Sequence, residues 1–172
     1  MNRSLVRVVA ASAARTTAVL VVVLAAYFLV PIGGFRQGAD LGPWLRLAAL
    51  VLVFGAAMAF AVWRILAAGT PRLRAVEFVI ELVVLFICLF ALFYLSLAAT
   101  DPDAFTEPLG RLDALYFTAS TFATVGFGDI TPVNDTARAV VTVQMLLDLG
   151  VLALIAKTTF FAAGRPRRQT LR

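Results

Sequence analysis

The densest chemical pattern in this 172-residue chain is Thr124-Val125-Gly126-Phe127-Gly128-Asp129. Gly126 and Gly128 alternate with larger residues, and glycine adopts left-handed backbone conformations at little steric cost. A strand alternating in this way can aim successive backbone carbonyls in one direction. A site for a dehydrated cation needs that arrangement, because carbonyl oxygens must replace the lost waters. On this reading the carbonyls of the 124–128 strand, Thr124, Val125, Gly126, Phe127 and Gly128, hold the ion, and the Thr124 hydroxyl adds an oxygen at the inner mouth. Val125 and Phe127 are expected to pack outward and hold the strand. Two plainer explanations of the glycine pair exist, a surface turn and a dinucleotide-binding loop. The dinucleotide loop requires a preceding strand and a third glycine, and the third residue after Gly128 is Thr131.

Such a strand needs elements to position it, and the composition says where they lie. Hydrophobic residues make up 62% and charged residues 15% of the chain, and mean hydropathy is +0.94. A soluble domain has roughly 45–50% apolar and about 25% charged residues. The expected fold is therefore an all-α integral membrane protein. It has four transmembrane helices plus a re-entrant pore helix and filter loop.

The first span is the uncharged stretch between Arg15 and Arg36, closed by Pro31, Gly33 and Gly34. A retained helix is favoured over a cleaved signal peptide, since the apolar run is long and no small-residue cleavage site follows it directly. The second runs from about Trp44 to Ala68, with Trp44 and Trp63 near its two ends. The third lies between Glu81 and Thr100, with Glu77 and Glu81 at its entry, and the fourth runs from about Ala137 to Ala163. Between the last two, LDALYFTASTFA is too short to cross a bilayer and suits a re-entrant helix, with Asp113 complementing its N-terminus after Gly110. The domains expected are an N-terminal transmembrane hairpin at 1–70, a pore module at 75–163 and a basic cytoplasmic tail at 164–172. Within the module the pore helix is placed at 112–123, the filter at 124–128 and the inner helix at 137–163.

In this context Thr121-x-x-Thr124-Val125-Gly126-Phe127-Gly128-Asp129 resembles the signature of potassium channels, whose pore loop is typically TVGYGD or TVGFGD. The resemblance covers roughly Glu77 to Ala163. It implies K+ as the permeant ion, bound at Thr124, Val125, Gly126 and Phe127, and no other cofactor. One filter strand cannot make a ring, and the chain has only one, so a homotetramer is expected. The resemblance further implies that Phe117, Ser120 and Thr121 pack behind the filter and that Asp129 stands at the outer mouth. Several family members carry a carboxylate where Ser120 stands and a tyrosine where Phe127 stands, so two polar restraints around the filter are missing here. Asp148 aligns with the glycine that serves many relatives as an inner-helix hinge, and Gly150 could supply a displaced one.

Asp148 lies inside the fourth span, where a charge costs about 2.5–3.5 kcal/mol on insertion scales. Two readings stand open. The residue contributes to a ring of four carboxylates drawing cations into the inner pore, or it is a buried carboxyl hydrogen-bonded to a neighbouring helix. Leu149, Leu152, Ala153 and Ala156 share a helical stripe that could line the inner pore and gate it by dewetting, or simply face neighbouring helices. Lys157 could pair with Glu77 or Glu81, and snorkelling to headgroups is the simpler account.

Orientation follows from the basic residues. With the N-terminus inside, the inner side collects Arg3, Arg7, Arg15, Arg64, Arg72, Arg74, Lys157, Arg165, Arg167, Arg168 and Arg172. The outer side keeps Arg36, Arg46, Arg111 and Arg138, a strong positive-inside bias. Both termini are therefore expected in the cytoplasm, in a plasma (cell inner) membrane, with anionic lipid headgroups as neighbours of the inner face. The net charge of +5 is thus a topology signal and gives no support to nucleic-acid binding. Asp40, Asp101, Asp103, Glu107, Asp113, Asp129 and Asp135 lie outside, where an electronegative vestibule concentrates cations.

With no histidine and a single cysteine, Cys88, the chain excludes an imidazole or thiolate metal site, a Ser-His-Asp triad and an internal disulfide. No enzyme and no small-molecule substrate is expected. The second span has only Arg46 and Arg64 at opposite ends, too few for a voltage sensor, and no nucleotide- or calcium-binding domain is expected to fit in the tail after Ala163. Asn134-Asp135-Thr136 is a formal glycosylation sequon, relevant only in a eukaryotic host. The function expected is passive, K+-selective conduction. The alternatives are a weakly selective cation pathway or pore subunit of a larger transporter, and a non-conducting regulatory subunit.

Overall fold

The computed structural model describes residues 3–29, 52 and 71–163. The expected second span, the Pro31–Gly34 stop and the basic tail lie outside the described residues. Four α-helices order the rest: α1 (Arg3–Leu29), α2 (Pro71–Thr100), α3 (Arg111–Phe122) and α4 (Asp135–Ala163). Three of them, over Val9–Leu29, Val76–Thr100 and Asp135–Lys157, are long and apolar enough to cross a membrane. With α3 too short to do so at 12 residues, this is the all-helical membrane architecture that the composition demanded.

The helix boundaries have local causes. Pro71 opens α2, where its missing N–H costs nothing and its fixed φ suits a helix. The helix stops at Thr100 because Pro102 disfavours helical backbone in Asp101, which is extended at φ −134° and ψ 98°. Asp101 then caps a short 3-10 turn, Pro102–Ala104, accepting the Asp103 N–H at 3.1 Å. The inner helix begins at Asp135 rather than Ala137, because the Asn134 side chain accepts the Ala137 N–H at 2.7 Å and extends the helix backwards. The pore helix is likewise shifted by one residue from 112–123, with Ala123 as its C-cap.

α2 is the spine against which the other helices pack. α1 runs parallel to it. At one end Arg15 pairs with Glu77 and the Thr16 hydroxyl donates to Glu81 at 3.4 Å. At the other end Tyr27 is buried with Cys88, Ala91, Leu92 and Leu95 of α2 and Ala114 of α3. Of the two carboxylates within reach of Lys157 in the sequence reading, Glu77 is taken by Arg15. Parallel packing brings the basic turn of α1 level with the two carboxylates first, and Lys157 is solvent-exposed in the single chain. α4 runs antiparallel to α2, joined by the Tyr94 hydroxyl to Gln144 and by Asn134 to Asp101 at 2.6 Å. Both polar atoms of the Asn134 side chain are engaged within the chain, so a glycan at the sequon would break the Asp101 contact.

Candidate functional site

α3 starts with a one-way cap. Gly110 is extended at φ −81° and ψ 178°, and its N–H donates to the Asp113 carboxylate at 2.9 Å. That carboxylate also complements the positive end of the helix dipole, as its position in the sequence foretold. A Cβ at Gly110 would lie 2.8 Å from the same carboxylate oxygen, so the cap leaves no room for a larger residue without adjustment.

Behind α3 three rings meet edge to face. Phe117 lies 5.1 Å from Tyr94 and 5.6 Å from Phe105, and Tyr94 lies 5.7 Å from Phe105, with interplanar angles of 67°, 71° and 76°. Each such pair contributes about 0.5–1.5 kcal/mol beyond the area it buries. Phe105 comes from the loop after α2, which is strapped to the segment beyond the filter. The Thr106 N–H donates to the Thr131 carbonyl at 3.0 Å and the Val133 N–H to the Ala104 carbonyl at 2.8 Å. The Thr106 hydroxyl adds a bond to the Asp129 carbonyl at 3.3 Å. The segment from Asp129 to Val133 is therefore tied at several points to the same layer that holds α3.

The end of α3 generates the loop. The Ala123 N–H donates to Ala119, that of Thr124 to Thr121, and those of Val125 and Gly126 both to Ser120, at 2.9 to 3.3 Å. These bonds satisfy the last helix carbonyls and turn the N–H groups of the loop back toward the helix. Three residues then adopt positive φ in alternation: Thr124 at 58°, Gly126 at 56° and Gly128 at 80°. The two glycines were expected to do so. Thr124 was not, since a β-branched residue is a genuine outlier in the left-handed region, and such strain costs about 1–3 kcal/mol. Among the described residues, no carbonyl from Thr124 to Gly128 accepts a hydrogen bond. The strand thus spends its first three donors on α3 and keeps its acceptors, which is the chemistry a cation site needs.

The side chains of the strand are less enclosed than expected. Val125 is 53% and Phe127 67% exposed in the single chain. Phe127 stacks on Tyr116 of α3, with centroids 5.9 Å apart and planes within 9°. The hydroxyl of Tyr116 bonds the Asp129 carboxylate, and this bond holds Asp129 below its ordinary pKa of 3.8 and raises that of Tyr116. The Ile130 N–H adds a further bond to Asp129 at 3.0 Å. Tyr116 was not foreseen; on a short apolar helix one more aromatic reads as packing. Ser120 and Thr121, placed behind the filter, both turn their hydroxyls back to the Phe117 carbonyl at 3.0 and 2.9 Å. The restraint on Asp129 therefore comes from Tyr116 and not from Ser120.

On the opposite side of α3, a buried polar chain links the three helices of the module. Tyr94 donates its hydroxyl to the Gln144 side-chain carbonyl. The Gln144 amide N–H then reaches the Thr118 carbonyl at 3.3 Å and Asp148 at 3.4 Å. Asp148 is only 3% exposed, and its second carboxylate oxygen is buried without a partner. Leu149 at 63%, Leu152 at 39%, and the exposed Ala153 and Ala156 stand on open surface of α4. The structure separates Asp148 from that stripe, because the helix rotation that opens Leu149 turns Asp148 toward Gln144. Tyr94 and Gln144 gave no sign of this in the sequence, where each is an isolated polar residue in an apolar run.

Residues 81–162 match the ion channel family. The chain is also similar to an inward rectifier potassium channel, Kirbac3.1, of Paramagnetospirillum magnetotacticum, 33% identical over 78 residues. A two pore potassium channel a of Oryza sativa subsp. japonica is 44% identical over 43 residues. The first match covers 45% of this chain and 26% of the relative, the second 25% and 12%. The chain thus spans well under half the length of either relative. No solved structure matches it significantly.

Proposed function

We propose that four copies of this chain form a K+-selective channel that conducts passively across the plasma membrane, with both termini in the cytoplasm. The observation that carries the reading is the strand at Thr124 to Gly128. Its backbone alternates into the left-handed region at Thr124, Gly126 and Gly128, and its carbonyls accept no hydrogen bond among the described residues. Four such strands around one axis supply rings of carbonyl oxygens that replace the hydration shell of K+. The match of residues 81–162 to the ion channel family and the likeness to potassium channels support the same reading.

Tetramerisation gives the open surfaces a role. Val125, Phe127, Leu146 and Leu149 are large apolar side chains left exposed by a single chain. Apolar surface of this kind marks a protein or lipid contact. In the tetramer Val125 and Phe127 pack outward from the axis against neighbouring copies, while Leu149, Leu152 and Ala156 line the inner pore. Asp129, held ionised by Tyr116 and the Ile130 N–H, places a negative charge at the outer mouth of each copy.

The test is flux of K+ and Na+ through the purified chain in liposomes, with the oligomeric mass measured alongside. K+ flux well above Na+ flux from a particle of four chains is expected. Equal permeability to the two ions would replace the reading with a weakly selective pathway, and an inert chain would point to a regulatory subunit.

A further inference from the structure

The contact between the end of α1 and the start of α3 has a chemistry that simple helix packing does not require. Tyr27 is 1% exposed, and its hydroxyl donates to the Arg111 carbonyl at 2.6 Å. In return the Arg111 guanidinium donates to the Tyr27 carbonyl. Arg111 is the first residue of the pore helix, and Tyr27 lies in the last turn of α1. Each residue therefore bonds the backbone of the other, and two helix ends are closed by one pair of side chains.

The electrostatics explain why these two ends meet. The carbonyls of a last helical turn have no partner within their own helix, and they carry the negative end of its dipole. A guanidinium at the start of α3 is misplaced for its own helix, whose N-terminus is already positive. Against the C-terminus of α1 the same charge is well placed. Around the pair, Tyr27 packs with Ala114 of α3 and with Cys88, Ala91, Leu92 and Leu95 of α2, which excludes competing water. The inner end of α1 is fixed separately, by Arg15 to Glu77 and Thr16 to Glu81. α1 is thus anchored on α2 and reaches across to the pore helix.

We propose that Tyr27 and Arg111 are positioning residues for ion conduction, through which α1 sets the placement of the pore helix and hence of the filter strand that leaves its far end. The proposal rests on the channel reading above. It assigns to the first helix a task that the match at residues 81–162 does not touch, since α1 lies wholly before it. α3 is 12 residues long and passes directly into Thr124, so tilt at Arg111 is carried to the strand by a short rigid lever.

The experiment compares the full chain with Tyr27→Phe, Arg111→Gln and Arg111→Lys in liposomes. Tyr27→Phe keeps the ring and removes one hydrogen bond, so assembly into the same oligomer is retained. Amide hydrogen exchange from Ala114 to Thr118 should become roughly fivefold faster in Tyr27→Phe, as expected for one lost hydrogen bond. Exchange in the middle of α4 should not change. The K+ to Na+ permeability ratio should fall in both Tyr27→Phe and Arg111→Gln, and Arg111→Lys should recover part of it by restoring the cation. Exchange and permeability ratio both equal to wild type would overturn the proposal. Faster exchange with unaltered permeability would overturn it too, because the contact would then be packing alone. A wild-type chain that passes no K+ at all is a different result, and removes the channel reading itself.

Discussion

On the back of α3, Phe117, Tyr94 and Phe105 pack ring against ring and the Gln144 amide uses both of its ends within the chain. On its front, Val125 and Phe127 are open, and the carbonyls between Thr124 and Gly128 accept nothing among the described residues. The back is a finished core that one chain can complete. The front is chemically incomplete in one chain, with free acceptors and uncovered apolar side chains that further copies and a permeant ion would satisfy. The division also separates two kinds of cost. The back stores its energy in burial and aromatic contact, and the front holds strain in its backbone, most of all at Thr124.

The comparison breaks most sharply at Gly126. With φ at 56°, a Cβ there meets nothing within 4 Å, so the penalty on Gly126→Ala is conformational, about 1–2 kcal/mol in each copy. Loss of K+ flux in liposomes with an unchanged oligomeric mass is expected. Flux equal to wild type would show that the left-handed turn is not part of the conduction path.

Phe117→Ala attacks the back instead. Removing a buried ring costs about 3–5 kcal/mol, seen as a lower unfolding midpoint in detergent. A small loss would mean that the aromatic triad does not hold the pore helix. Tyr94→Phe is milder. It leaves the Gln144 carbonyl buried without its donor, at about 1–3 kcal/mol, again read in the unfolding midpoint.

The smallest effect is expected at Tyr116, where front and back share a residue. Its hydroxyl lowers the pKa of Asp129, so the stabilisation from this bond is present above pH 3.8 and disappears as pH falls through the lowered folded value. Tyr116→Phe should move the acid edge of outer-side conductance to higher pH. An unmoved acid edge would mean that Asp129 does not set the field at the outer mouth.

Gly126 and Gly128 announced the strand because their residue type is itself a backbone statement. Asp113 was legible for a similar reason, as an acid just inside a short helix. Thr124 carried no such label. Its left-handed backbone is imposed by the N–H bonds to Thr121 and Ser120 around it. Asp148 was conspicuous as a charge in an apolar helix, yet its direction was undetermined. Residues 148 and 149 differ by about 100° around a helix of 3.6 residues per turn, and only packing fixes which one turns inward. Glu77 was one of two carboxylates that Lys157 could reach, and the structure pairs it with Arg15.

By itself the sequence determined the membrane environment, the helical class and the location of the strand. Each of these follows from residue type and local spacing: too few charges for water, apolar runs of spanning length, and glycines where a Cβ would strain the backbone. Tertiary structure alone decided which partners the polar residues inside those helices take. Tyr27 found Arg111, Tyr94 found Gln144, and Tyr116 found Asp129. For the two buried tyrosines, Tyr27 and Tyr94, the physical reason is the same. In a low-dielectric interior a polar group must take a partner, and the spacing along one helix does not say which helix will bring it.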